Sequence, residues 1–131
     1  MALHEIIWID EREALALHDR LLAIDGGSSG VSDLGLLRSA LARPRQLHAY
    51  GDRPDIIEMA AAYTAGIIRN HPFIDGNKRT GFLIGVLLLE LNGYIFAATE
   101  ESAAQAILSL AAGTLDDFVL ASWFRANVQR Q

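Results

Sequence analysis

Ten consecutive residues, Phe82 to Leu91 (FLIGVLLLEL), carry a single charge, and Asn92-Gly93 stops them abruptly. As a helix they rise roughly 15 Å, about half the hydrocarbon core of a bilayer. A membrane span is excluded. A helix apolar almost all round can hide its surface only inside other chain, so this stretch predicts the central helix of a bundle. The remainder suits that role: 51% of the 131 residues are apolar or aromatic, enough for one core, and the length allows about one domain. Residues 1–131 therefore read as a single all-α domain.

The flanking segments supply the surrounding helices. His4 to Ile9 is a short apolar lead-in, and Asp10 with Glu13 forms an acidic capping pair before a helix over about 11–24. That helix carries Leu15, His18 and Leu22 on one side, with Leu17, Leu21 and Ile24 nearby. Asp25 to Val31 (DGGSSGV) is a loop able to take positive φ, compatible with a plain connection or with a flap over a groove. Ser32 caps a second helix with Leu34, Leu37 and Leu41 in one stripe, and Pro44 ends it. Pro54, Asp55 and Glu58 mark the first turn of a third. Its stripe is Ile56, Ala60, Tyr63 and Ile67, and the small residues Ala60, Ala61, Ala62, Ala65 and Gly66 permit close helix contact. It stops near Asn70, because His71 precedes Pro72. The apolar helix starts at about Lys78 with Asn77 as its cap; Thr99 caps a helix over 100–111, and Thr114 with Asp117 forms a capping box for a last one from 115 to about 128. The expected fold is a compact bundle of six helices.

Charge singles out one joint of this bundle. The net charge is −5, yet residues 67–81 sum to +2 between halves of −4 and −3. An acidic chain of this kind lacks non-specific grip on nucleic acid, while the positive window suits a compact anion. Lys78, the single lysine of the chain, lies there. The chain has no cysteine, so disulfide frameworks and thiolate chemistry are excluded. The opening MALHEIIWIDERE meets acidic residues before a secretory h-region forms, so a cytoplasmic protein is expected.

The window reads Arg69-Asn-His-Pro-Phe-Ile-Asp-Gly-Asn-Lys-Arg-Thr-Gly81 and joins two helices. The first N–H groups of the second helix have no intrahelical partner, and Gly76 allows a tight turn there. Lys78 and Arg79 place two cations at the same end, against the helix dipole, which an anion such as phosphate would compensate. Asp75 beside them is a candidate Mg²⁺ ligand, and His71, with an ordinary pKa near 6.5, is a candidate proton acceptor. Base, metal ligand and phosphate grips are the parts of phosphoryl or nucleotidyl transfer. Each residue also has an ordinary reading: His71 as a helix-end or core histidine, Asp75 as a turn former, Asn77 as a cap, Phe73 as core and Arg69 as surface. The chain has no zinc motif and no GxxxxGK[ST] loop.

HPFIDGNKRTG resembles the motif of the Fic superfamily, and more closely the variant carried by the death-on-curing (Doc) toxins. The likeness extends to the glycine-rich segment, the LLRSALARP stretch and the apolar helix. It implies His71 as general base toward a protein hydroxyl, Asp75 as the Mg²⁺ ligand, Asn77 as orienting phosphate, Arg79 as the phosphate-binding arginine and Arg69 as a further basic site residue. Gly76, Lys78 and Arg79 would lie on the nucleotide. The adenylylating branch carries a glycine and a second arginine where this chain has Lys78 and Phe82. In Doc toxins that change accompanies transfer of the γ-phosphoryl group of ATP to a threonine of elongation factor Tu. The family also implies an antitoxin whose C-terminal segment folds in a groove near the site, and this chain lacks a complete Ser/Thr-x-x-x-Glu-Gly/Asn pattern of its own. AMP transfer and a non-catalytic helical module are the competing readings.

Overall fold

In the computed structural model, residues 5–51, 54–113 and 116–131 are described. Asp10 and Glu13 each accept a hydrogen bond from the other's backbone N–H and open α1 (Glu11–Asp25). His4 lies outside the described residues. Asp33 opens α2 (Leu34–Tyr50), its carboxylate accepting from the N–H of Leu36 at 3.1 Å. The expected cap, Ser32, turns instead to the carbonyl of Pro72, so the cap moves on by one residue.

Pro44, expected to end α2, lies inside it, and the helix continues to Tyr50. Proline removes one helical hydrogen bond, but here the following turns are held by tertiary contact. Arg45 lies over the Trp8 ring at 5.1 Å and His48 meets the same ring edge-on at 5.7 Å. Packing of the N-terminal lead-in thus carries the helix past its breaker.

The third helix, α3 (Ile56–Asn70), is capped by Asp55, again reciprocally with Glu58. Every residue from Met59 to Ile68 is buried. It shares the centre of the bundle with α4 (Asn77–Leu91), which contains the apolar run. Small residues bring neighbours close: a Cβ at Gly66 would lie 3.4 Å from that of Ala40 on α2, and the Thr64 hydroxyl donates to the carbonyl of Gly81 on α4 at 2.8 Å.

Thr99 caps α5 (Glu100–Ala111) as the sequence predicts. The last helix, α6 (Asp117–Ala126), is capped by Asp116, which accepts from Val119 N–H at 2.8 Å; the expected box of Thr114 with Asp117 falls on a residue outside those described. Thr114 and Leu115 lie outside the described residues. The chain then leaves the helix at Asn127 and forms a short strand that the sequence reading did not foresee. Here β1 (Tyr94–Phe96) pairs antiparallel with β2 (Val128–Arg130), Tyr94 opposite Arg130. Beneath it Phe82, Phe96, Trp123 and Phe124 form an aromatic cluster with ring centroids 5.5–6.3 Å apart. No helix among the described residues is long and apolar enough to cross a membrane.

Candidate active site

The chain between α3 and α4 is shaped by two residues in left-handed backbone conformation. His71 ends α3 at φ 52°, ψ 53°, its N–H donating to the carbonyl of Ile67 at 3.0 Å. It is the sole non-glycine residue with positive φ among those described. Glycine is the usual occupant of such a cap, so a histidine there is costly to the backbone and calls for a use of its side chain. That side chain is exposed. Gly76, at φ 78°, ψ 18°, turns the chain into α4.

Asn77 does not cap that helix, which corrects its expected role. No side chain caps α4. Asn77 is the first helical residue and is buried, with Oδ1 accepting from the N–H of Phe73 and Nδ2 donating to its carbonyl, each at 2.9 Å. The physical reason is that Gly76 already supplies the turn, which frees the carboxamide to fasten the loop. Phe73 itself is fully buried, as expected of an anchor.

The glycine-rich segment lies along this loop as a flap. Val31 and Phe73 form an isolated antiparallel bridge, with Ile74 N–H donating to Gly30 O at 3.1 Å and Ser32 N–H to Pro72 O at 2.8 Å. Pro72 O also receives the N–H of Asp33 at 3.1 Å. Gly27 suits its place by conformation: at φ 120° a side chain is strained, and an added Cβ would also stand 2.8 Å from Oδ2 of Asp75. Asp75 is therefore covered on one side by the flap, its Oδ1 accepting from Gly76 N–H at 2.9 Å and its Oδ2 from Ser28 N–H at 3.4 Å.

The cations are distributed unevenly around this centre. Lys78 is exposed and takes part in no ion pair among the described residues. Arg79 pairs at 2.9 Å with Asp25, the last residue of α1. Arg69 is turned to Asp117, a carboxylate that also receives Arg43 at 3.2 Å. A hollow of about 530 Å³ opens beside that pair, lined by Arg43, Glu58, Asp117, Phe118 and Arg125 among others, and none of residues 69–81 lines it. The loop gathers His71, Asp75, Gly76, Lys78 and Arg79 at one helix end, and places Arg69 on another face of α3.

Residues 8–89 match the Fic/DOC family. The chain belongs to that family. A protein described as "Protein kinase doc", from Escherichia phage P1, is 36% identical over 85 residues, which cover 65% of this chain and 68% of that protein. One described as "Toxin Doc", from Mycolicibacterium smegmatis, is 43% identical over 75 residues, 56% of this chain and 57% of that protein. In this Fic/DOC chain the stretch from Trp8 to Leu89 takes in α1 to α4 nearly entire, and so the flap and the loop together. Phe82 belongs to the aromatic cluster and offers no charge to an anion.

Three side chains or segments near the loop were missed in the sequence. His18 is buried against Phe73 and reaches the carbonyl of Asp75; its signal was a polar residue on the apolar stripe with Ala14 and Leu22. Asp25 holds Arg79 across a gap of 54 positions that no local pattern reports. The contact of Gly27 and Ser28 with Asp75 is likewise a product of the fold.

Proposed function

We propose that this chain is a toxin that, with Mg²⁺, transfers the γ-phosphoryl group of ATP to a threonine hydroxyl of elongation factor Tu, and that a separate antitoxin chain silences it. The observation that carries the reading is the start of α4: a helix with no side-chain cap, with Lys78 and Arg79 in its first turn, joined to His71 by a turn that contains Asp75. Free N–H groups beside the unpaired Lys78 favour an anion at this point, and Arg79 is held only by an exposed pair with Asp25 that phosphate could replace. The names of the two relatives, a protein kinase and a toxin, agree with this chemistry.

The residues present fit ATP and one divalent ion. Among the described residues no three His, Cys, Asp or Glu side chains converge. A cation at Asp75 would rest on one carboxylate with waters and phosphate oxygens, the arrangement Mg²⁺ accepts. When bound, Mg-ATP supplies the phosphoryl group and the charge neutralisation that its transfer requires. The chain's own residues do the rest. Arg79 grips phosphate through paired N–H groups, Lys78 adds a point charge, Asn77 keeps the loop in shape, and imidazole nitrogen of His71 takes the proton of the incoming hydroxyl. Lys78 in place of glycine fills the space beside the helix start and adds charge there, which supports γ-phosphoryl over AMP transfer.

The test uses Mg²⁺, purified elongation factor Tu and ATP labelled at either the α or the γ phosphorus. The γ label should appear on a threonine of the acceptor, and Asp75→Asn should weaken Mg-ATP binding while leaving the fold intact. Label from the α position alone would replace the reading with AMP transfer. Absence of both labels would dismiss the acceptor.

A further inference from the structure

The imidazole of His18 is 1% exposed and stacks face to face on Phe73, with centroids 3.8 Å apart and planes at 9°. Its Nε2 lies 2.7 Å from the carbonyl oxygen of Asp75. A carbonyl only accepts, so Nε2 carries the proton and donates. The N–H at the other end of the same peptide, that of Gly76, is held at 2.9 Å by the Asp75 carboxylate. The Asp75–Gly76 peptide plane is thus gripped at both edges, by α1 on one side and by its own side chain on the other.

That plane decides two directions at once. On its N-terminal side it sets the aim of the Asp75 carboxylate. On its C-terminal side it sets the turn at Gly76, and with it the orientation of the first N–H groups of α4. A ring kept at position 18 for packing alone would be served by phenylalanine or leucine, since a buried imidazole must find a partner for its N–H. The partner it finds is the one carbonyl whose rotation would re-aim both.

We propose that His18 is a positioning residue of the site, which fixes the Asp75–Gly76 peptide and through it the carboxylate and the amides of the α4 start. Its functional half rests on the reading of Asp75 given above; its structural half does not.

The experiment compares wild type with His18→Phe, which keeps a ring on Phe73 and loses the donor, and with His18→Gln, whose amide N–H reaches to the same depth. Amide hydrogen exchange is followed at Gly76 and Ser28, whose N–H groups rest on Asp75, and at core positions of α3. With His18→Phe, exchange at Gly76 and Ser28 should quicken while α3 keeps its protection, and His18→Gln should restore much of the wild-type value. Gly76 and Ser28 exchanging in His18→Phe as in wild type would overturn the proposal. Should His18→Phe fail to melt cooperatively, His18→Met carries the same expectation. In the γ-label assay with elongation factor Tu, His18→Phe should raise the half-saturating Mg²⁺ concentration by roughly 10–100-fold, the usual scale for losing a group that orients a metal ligand. The KM for the acceptor should stay unchanged, a split that general destabilisation does not produce; equal Mg²⁺ dependence of the two proteins would refute the functional half. A wild type that transfers no label at any Mg²⁺ concentration would defeat the proposed function, and the exchange data would then decide the role of His18 alone.

Discussion

Asn77 clasps the backbone of Phe73 at both ends, its Oδ1 receiving the N–H and its Nδ2 donating to the carbonyl, each at 2.9 Å. The flap cannot provide these bonds, because the bridge between Val31 and Phe73 is built by the neighbouring groups of Pro72 and Ile74. Asn77→Ala should therefore orphan two buried backbone groups, at ~1–3 kcal/mol each, and the better helix propensity of alanine returns less than ~1 kcal/mol. Asn77→Asp, which keeps the acceptor and loses the donor, should fall between. Urea unfolding midpoints give the order, and an Asn77→Ala protein as stable as wild type would show that the clasp contributes nothing.

Gly85 lies on α4 where it crosses α3. A Cβ there would stand 2.3 Å from Oγ1 of Thr64 and 3.0 Å from the carbonyl of Ala60. Helix propensity alone predicts that Gly85→Ala stabilises by about 1 kcal/mol. Contact predicts the reverse, a loss of ~1–3 kcal/mol from overpacking. The contact wins here because Thr64 cannot retreat without giving up its bond to Gly81. Thermal melts of Gly85→Ala settle the sign.

Tyr63 links the bundle centre to the lead-in, its hydroxyl donating to Ile9 O at 3.3 Å and accepting from Ile9 N–H at 3.2 Å. Burial pushes its pKa above the ordinary phenol value, with the Ile9 backbone opposing in part. The folded protein thus holds the proton more tightly than the unfolded chain. The resulting stability is complete below the ordinary value of about 10 and is lost as pH rises through the folded one. Urea midpoints taken across about pH 9–11 should decline with pH, and Tyr63→Phe should flatten that decline while lowering stability throughout, since Ile9 then loses both bonds. An identical alkaline slope in the mutant would place the titration elsewhere.

Asp25 competes for Arg79. The pair is solvent-exposed, with side-chain exposures of 46% for Arg79 and 42% for Asp25, so it contributes at most ~1 kcal/mol to stability. A carboxylate at the C-terminal end of α1 also opposes that helix's dipole. Asp25→Asn should leave the melting midpoint nearly unchanged and tighten ATP binding by about two- to fivefold, the counterpart of releasing a pair of that size. Calorimetric titration with ATP measures it, and unaltered affinity would mean that Arg79 does not reach phosphate.

What could be read in the chain and what could not divide along one physical line. The capping pair Asp10–Glu13 and the Thr99 cap were legible, because each interaction spans three residues; Pro54, Asp55 and Glu58 marked the start of α3, but Asp55 is its cap and not part of its first turn. The buried stripe of Ala60, Tyr63 and Ile67 and the apolar run of α4 were legible for the same reason of period. Pro44 misled, since its local effect is overridden by Trp8, 36 positions away and on another element. Ser32 and Asn77 misled differently: both are good caps by type, and both are claimed by Pro72 and Phe73. In the structure Asp75 and Gly76 lie between the His71 cap of α3 and Lys78 and Arg79 in the first turn of α4; the partners of Arg69 and Arg79, which come from α6 and α1, were not legible in the motif. The strand at the C-terminus escaped because three residues are too few for a period to declare itself.

His71 is where stability and chemistry separate most cleanly. Pro72 disfavours continued helix at His71, and the left-handed turn there is held by the hydrogen bond from its N–H to Ile67 O. Glycine takes that conformation without strain, while adding freedom to the unfolded chain that costs ~0.4–1 kcal/mol. The two effects nearly cancel, so His71→Gly should melt within about 1 kcal/mol of wild type. Binding of ATP should also persist, because the helix start, Lys78 and Arg79 are untouched. Transfer of the γ label should fall by ~10²–10⁴, the usual contribution of a general base. Asparagine, which tolerates the same backbone region and lacks a titrating nitrogen, gives the matching control: His71→Asn should fold and bind like wild type and fail in transfer. A His71→Gly protein that folds, binds ATP and transfers phosphoryl at the wild-type rate would leave His71 as a helix cap and move the search for the base elsewhere on the loop.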